Sequence, residues 1–105
     1  MRQFHHMGLP TEEKHDGEVF VEATKVWVTD PDQCPQKIEY LRFEPDATLT
    51  GPVRDMPHFA YKVDDMAAEM KDLPVLLGPF QAMENLRVVF VEENGAVIEF
   101  MEFSE

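Results

Sequence analysis

Four side chains carry the chemistry legible in this sequence: His6, Glu39, His58 and Glu99. Glu39 stands in Lys-Ile-Glu-Tyr-Leu and Glu99 in Ala-Val-Ile-Glu-Phe-Met, runs that are otherwise mostly apolar. Side chains alternate along a strand, so Val97, Glu99 and Met101 share one face and Ile98 and Phe100 the other. Both faces are apolar enough to be buried, which turns Glu99 inward. An ionised carboxylate buried without a partner costs several kcal/mol, and neither glutamate has an obvious arginine beside it. Two neutral imidazoles and two carboxylates form a donor set of two nitrogens and two oxygens with two negative charges. A divalent cation neutralises that set and keeps further positions for water or substrate oxygens.

These residues recur in register between the two halves of the chain. Phe4-His5-His6-Met7-Gly8-Leu9 aligns with Met56-Pro57-His58-Phe59-Ala60-Tyr61, and Lys37-Ile38-Glu39-Tyr40-Leu41 aligns with Val97-Ile98-Glu99-Phe100-Met101. Each half therefore has a histidine on its first strand and a glutamate on its last. Phe4 to Leu9 reads as a strand ended by Pro10, Thr11 to Glu18 as a polar loop, and Val19 to Thr29 as one or two strands. The run Asp30 to Pro35 is a turn by composition, and Lys37 to Phe43 is a strand.

In the second half, His58 to Val63 is a strand. Asp64-Asp65 offers a helix N-cap, and Met66, Met70 and Leu73 fall at helical spacing before Pro74. Val75 to Leu77 begins a strand that Gly78-Pro79 bends. Leu86 to Glu92 and Ala96 to Phe103 flank Asn94-Gly95, the strongest short-range hairpin signal. This half reads β-α-β-β-β. His6 and Glu39 are 33 residues apart and His58 and Glu99 are 41; the deficit, about two helical turns, implies a first half with a shortened or missing helix. We divide the single domain into a first module (1–45), a linker (46–57) and a second module (58–105).

The remaining candidates are weaker. His5 faces the side of its strand opposite to His6, so a surface or supporting position is expected. His15 lies in the polar loop, and Cys34, the sole cysteine, has no adjacent base. Met66 and Met70 read as helix core. There is no phosphate-cradling glycine loop, no CxxC and no HExxH, and no cofactor-binding residues other than the metal set are identified.

Bulk properties bound the function. The 105 residues suffice for one core. Acidic residues outnumber basic ones 21 to 9, a formal charge of −12, which disfavours nucleic acid and anionic membrane surfaces. No apolar run approaches the ~20 residues of a membrane span, and the N-terminus does not read as a signal peptide. A single cysteine suits a reducing compartment, so a cytoplasmic location is expected.

Three stretches resemble the vicinal-oxygen-chelate superfamily of glyoxalases, methylmalonyl-CoA epimerases, extradiol dioxygenases and antibiotic-resistance proteins. They are His6 to Leu9, Pro57 to Asp65, and Val89 to Glu102. The resemblance implies an α+β fold of two paired βαβββ modules forming a U-shaped mixed sheet around one metal. His6 and Glu39 match the ligands of the first module, His58 and Glu99 those of the second. A fourth ligand, a carboxylate, points to the glyoxalase and epimerase branch.

The resemblance and the donor set together lead to the expectation of a glyoxalase-type lyase or isomerase dependent on one divalent metal (zinc, nickel, manganese or cobalt). It would bind vicinal oxygens of a small carbonyl or hydroxyacyl substrate and stabilise an enediolate, with Glu99 as base and Glu39 able to exchange the role. The alternative is a non-catalytic, drug-sequestering protein of the same fold; Phe43, Tyr40, Tyr61, Phe90 and Met101 are candidate cavity walls, although each reads first as plain core. A degenerate structural subunit is a third possibility. The expected partners are a small-molecule substrate and, from the resemblance, a second copy of the chain in a homodimer.

Overall fold

In a computed structural model, residues 1–104 are described. The chain falls into two compact units, His6–Pro57 and Met1–His5 with His58–Glu105. Among the described residues, eight strands in mixed parallel and antiparallel pairing and two one-turn helices make up the regular structure, apart from a short 3-10 turn. This is the expected α+β class, with a mixed sheet and reduced helices. Among the described residues, no helix is long and apolar enough to cross a membrane.

The first unit is built from strands β1 (Arg2–Pro10, its first residues belonging with the second unit), β2 (Val19–Val21), β3 (Val26–Val28) and β4 (Ile38–Phe43), in the order β2-β3-β4-β1. β1 and β4 run parallel, while β2, β3 and β4 are antiparallel neighbours. The 3-10 turn Pro31–Gln33 is capped by Asp30, whose side chain accepts from the Asp32 amide. The stretch 46–57 contains one helical turn, α1 (Pro52–Asp55), which proline at its first position starts.

The second unit runs β5 (His58–Val63), α2 (Met66–Glu69), β6 (Val75–Met83), β7 (Leu86–Glu93) and β8 (Ala96–Phe103). The order β5-β8-β7-β6 is the same as in the first unit, with β5 and β8 parallel and the hairpin strands antiparallel. Asn94 and Gly95 both take positive φ, 54° and 81°, the backbone a tight two-residue hairpin requires. Gly78 sits where the β6–β7 register shifts. With φ +94°, a Cβ there would lie 3.0 Å from the Val88 carbonyl oxygen, so only glycine fits without a shift.

The expected helix is shorter than its apolar spacing suggests. α2 is capped by Asp65, which accepts from the Ala68 amide, and it stops at Glu69. Asp72 enters the left-handed region just beyond. Met66, Met70 and Leu73 nonetheless all pack on the core of Val63, Val89, Val91, Ile98 and Phe100. A single turn followed by bends presents the same three side chains to the sheet.

The first unit has no helix at the matching place. There the loop between β1 and β2 covers β4 with polar and aromatic groups. The His15 ring stacks on Tyr40 at 4.0 Å and 11°, and Glu18 takes both ends of a fork from Arg42, at 2.9 and 2.7 Å. Tyr40 stands where Phe100 stands in the second unit. The shorter first half also reflects three-residue strands β2 and β3 against the longer β6 and β7, so the missing helix is one part of the length difference.

Arg2 ties the second unit together. Its guanidinium donates to Glu69 at 2.8 Å and in bidentate fashion to Glu93 at 2.7 and 2.8 Å. It also lies 4.7 Å from the centroid of the Phe100 ring. The hydrogen bonds from Arg2 hold the Glu93 carboxyl below the usual glutamate range. A carboxyl whose folded pKa is depressed contributes stability above its unfolded pKa, about 4.3, and loses it as pH falls through the folded value. Glu93→Gln should therefore cost roughly 1 kcal/mol in urea unfolding at neutral pH, with the difference from the parent shrinking below about pH 4. Phe100 is fully buried, and Phe100→Ala should cost about 3–5 kcal/mol in the same assay.

Candidate functional site

Each unit places one histidine and one glutamate on a parallel strand pair at the same register offset. In the first, Gly8 on β1 is opposite Glu39 on β4, and His6 stands two residues before Gly8. In the second, Ala60 on β5 is opposite Glu99 on β8, and His58 stands two residues before Ala60. Residues two apart in a strand share a face, so each imidazole and its carboxylate point the same way. The small residues Gly8 and Ala60 hold matching positions, each directly across from its glutamate.

The distances agree with this register. His6 Nε2 is 3.6 Å from Glu39 Oε1, and His58 Nε2 is 3.2 Å from Glu99 Oε1. His6, His58 and Glu99 are buried, at 4 %, 3 % and 8 % exposure, while the Glu39 side chain is 23 % exposed. Ionisable groups withdrawn from water to this degree need partners. An imidazole nitrogen with a carboxylate oxygen beside it is half of a divalent-metal donor set, and the donor chemistry fits such a cation.

The surroundings of the second pair are apolar. Phe90 lies opposite Glu99 on β7, and its ring meets that of His58 edge to face, with centroids 5.2 Å apart. Met101, on the Glu99 face, is buried. Phe90 and Met101 thus share the strand face of the pair. Tyr40 and Tyr61 do not: each falls on the opposite strand face from its histidine–glutamate pair. Tyr40 stacks on His15 and Tyr61 joins the core under α2. Strand alternation alone separates these two from Phe43, Phe90 and Met101. His15 is a stacking partner in its loop, and His5 lies half-buried with its ring 6.3 Å from that of Phe103.

One further feature adjoins the first pair. A cavity of about 370 Å³ is lined by Pro10, Thr11, Glu12, Leu41, Phe43, Arg54 and Asp55. Pro10 and Leu41 are opposite one another, two residues beyond Gly8 and Glu39 on the same face. Phe43 is legible in the sequence as a wall residue, whereas Arg54 escapes sequence reasoning because its segment has the composition of a linker. Its one signal is an isolated basic residue in Gly-Pro-Val-Arg-Asp.

No family model matches the chain, and no curated protein matches it in sequence. Solved structures do. A hypothetical protein from Bacillus halodurans C-125 matches with a TM-score of 0.70 at 15 % identity, covering 99 % of this chain and 96 % of that one. Methylmalonyl-CoA epimerase from Mycobacterium tuberculosis matches with a TM-score of 0.56 at 12 % identity, covering 98 % and 89 %. The fold is shared with both. It is consistent with the vicinal-oxygen-chelate resemblance.

Proposed function

We propose that the chain is a divalent-metal-dependent lyase or isomerase of the vicinal-oxygen-chelate type, with the pairs His6–Glu39 and His58–Glu99 as its metal ligands. The observation that carries the reading is the repeated offset: a buried histidine beside a glutamate, at the same register of a parallel strand pair, in both units. A fold shared with an epimerase supports it. Bound there, a divalent cation would act as a Lewis acid toward two neighbouring substrate oxygens.

The chain's own residues supply the rest. Glu99 is the proposed base: once released from the ligand set, its carboxylate would take a proton from the carbon next to the substrate carbonyl. Glu39 is the proposed alternate base, able to exchange that role with Glu99. Phe90 and Met101 keep water from the reacting carbon. The substrate class is a small carbonyl or hydroxyacyl compound.

Two measurements test this. Protein purified without chelators should carry close to one zinc, nickel, manganese or cobalt per chain by elemental analysis, and His58→Ala should lose most of it. A parent protein that holds none and takes up none on titration would overturn the metal reading and leave ligand sequestration. In a screen of 2-oxoaldehyde–thiol adducts and acyl-CoA epimers, Glu99→Gln should lower turnover by about a hundredfold or more while retaining some metal. Undiminished turnover would remove Glu99 from the base role.

A further inference from the structure

Arg54 stands apart from the other arginines. The chain has 21 acidic residues to 9 basic, and among the described residues every other arginine has a carboxylate within 4.0 Å: Arg2 has Glu69 and Glu93, Arg42 has Glu18 and Glu44, Arg87 has Glu102. Arg54 has none within that distance. One of its nitrogens donates to the Leu49 carbonyl at 3.2 Å, and its guanidinium lies 5.4 Å from the centroid of the Phe43 ring. These contacts hold a half-buried, planar fork at the wall of the 370 Å³ cavity. The carbonyl engages only part of its donor set.

The cavity continues the face that bears His6 and Glu39. Leu41 and Phe43 follow Glu39 at two-residue steps, and Pro10 lies opposite Leu41. The first of these steps is about 7 Å along the strand. A molecule with its reacting end at the histidine–glutamate pair would lay its remaining part over Pro10, Leu41 and Phe43 and reach Arg54 with its far end.

We propose that this cavity binds a carboxylate carried on a short apolar arm, with Arg54 as its counter-ion, and so selects substrates that bear a second acidic group distant from the reacting carbon. The assignment of the near end rests on the proposed metal-dependent function; the cavity's own preference for a carboxylate does not. Arginine suits the task because its fork matches a carboxylate with two parallel hydrogen bonds. Leu41 and Phe43 supply apolar contact for the arm. Glu12 and Asp55 at the same cavity oppose an anion, which gives the test a second sign.

The probes are phenylacetate and its neutral amide, phenylacetamide, titrated into metal-free protein and followed by amide NMR shifts. Phenylacetate should bind at about millimolar affinity, with shifts clustered at residues 11–12, 41–43 and 54–55, and about tenfold more tightly than the amide. Arg54→Gln should erase that preference. Glu12→Gln, at an exposed position, should tighten phenylacetate about twofold. His6→Ala should leave phenylacetate binding intact, which separates this proposal from the metal reading. Absence of phenylacetate binding, equal affinity for acid and amide, or an Arg54→Gln variant that keeps the preference would each overturn it.

Discussion

Withdrawing an imidazole and a carboxylate from water side by side is the constraint on which the rest of this protein turns. Neither group is stable alone in an apolar interior, and a pair separated by 3.2 or 3.6 Å holds only if the backbone presents both side chains on one face. A parallel strand pair does this through a fixed register. The histidine lies two residues before the small residue that faces the glutamate, on β1 and β4 as on β5 and β8. A shift of one residue in either pairing would turn the glutamate to the other face and leave a charge in the core. The crossover and hairpin around each parallel pair hold that register.

The two units hold it differently. In the second unit α2 and the bends after it press Met66, Met70 and Leu73 onto Ile98, Phe100 and β7, and Arg2 bridges two glutamates over the Phe100 ring. In the first unit the corresponding face of β4 carries Tyr40 and Arg42, covered by His15 stacking and by the Glu18 fork, with Arg42 also over Trp27. Aromatic stacking and bidentate ion pairs thus occupy the place of a helix. The hydrogen bonds from Arg42 and Arg2 hold the Glu18 and Glu93 carboxyls below their ordinary range, so both units depend on carboxylates staying ionised.

A strongly acidic chain with few cations uses them sparingly. Arg2, Arg42 and Arg87 neutralise glutamates across strands or elements. Arg54 is positioned by a carbonyl and a ring at a cavity wall instead. The cavity it lines continues the strand face that bears His6 and Glu39.

Read alone, the sequence carried the strand–helix order of the second half and the Asn94-Gly95 hairpin, and it singled out His6, Glu39, His58 and Glu99 as candidates. These signals are local: alternation in strands, capping by Asp65, a turn that needs positive φ, and carboxylates stranded in apolar runs. The matching of halves was legible too, since it needed only two aligned segments. Tertiary structure decided the common register offset of the two pairs, because pairing partners far apart in sequence leave no local signature. It shortened α2, since packing three side chains on a sheet requires their placement and not a continuous helix. It turned Tyr40 and Tyr61 away from the pairs. It also gave Arg54 its significance, because a cation's role depends on which carboxylates approach it in space, and composition does not encode that.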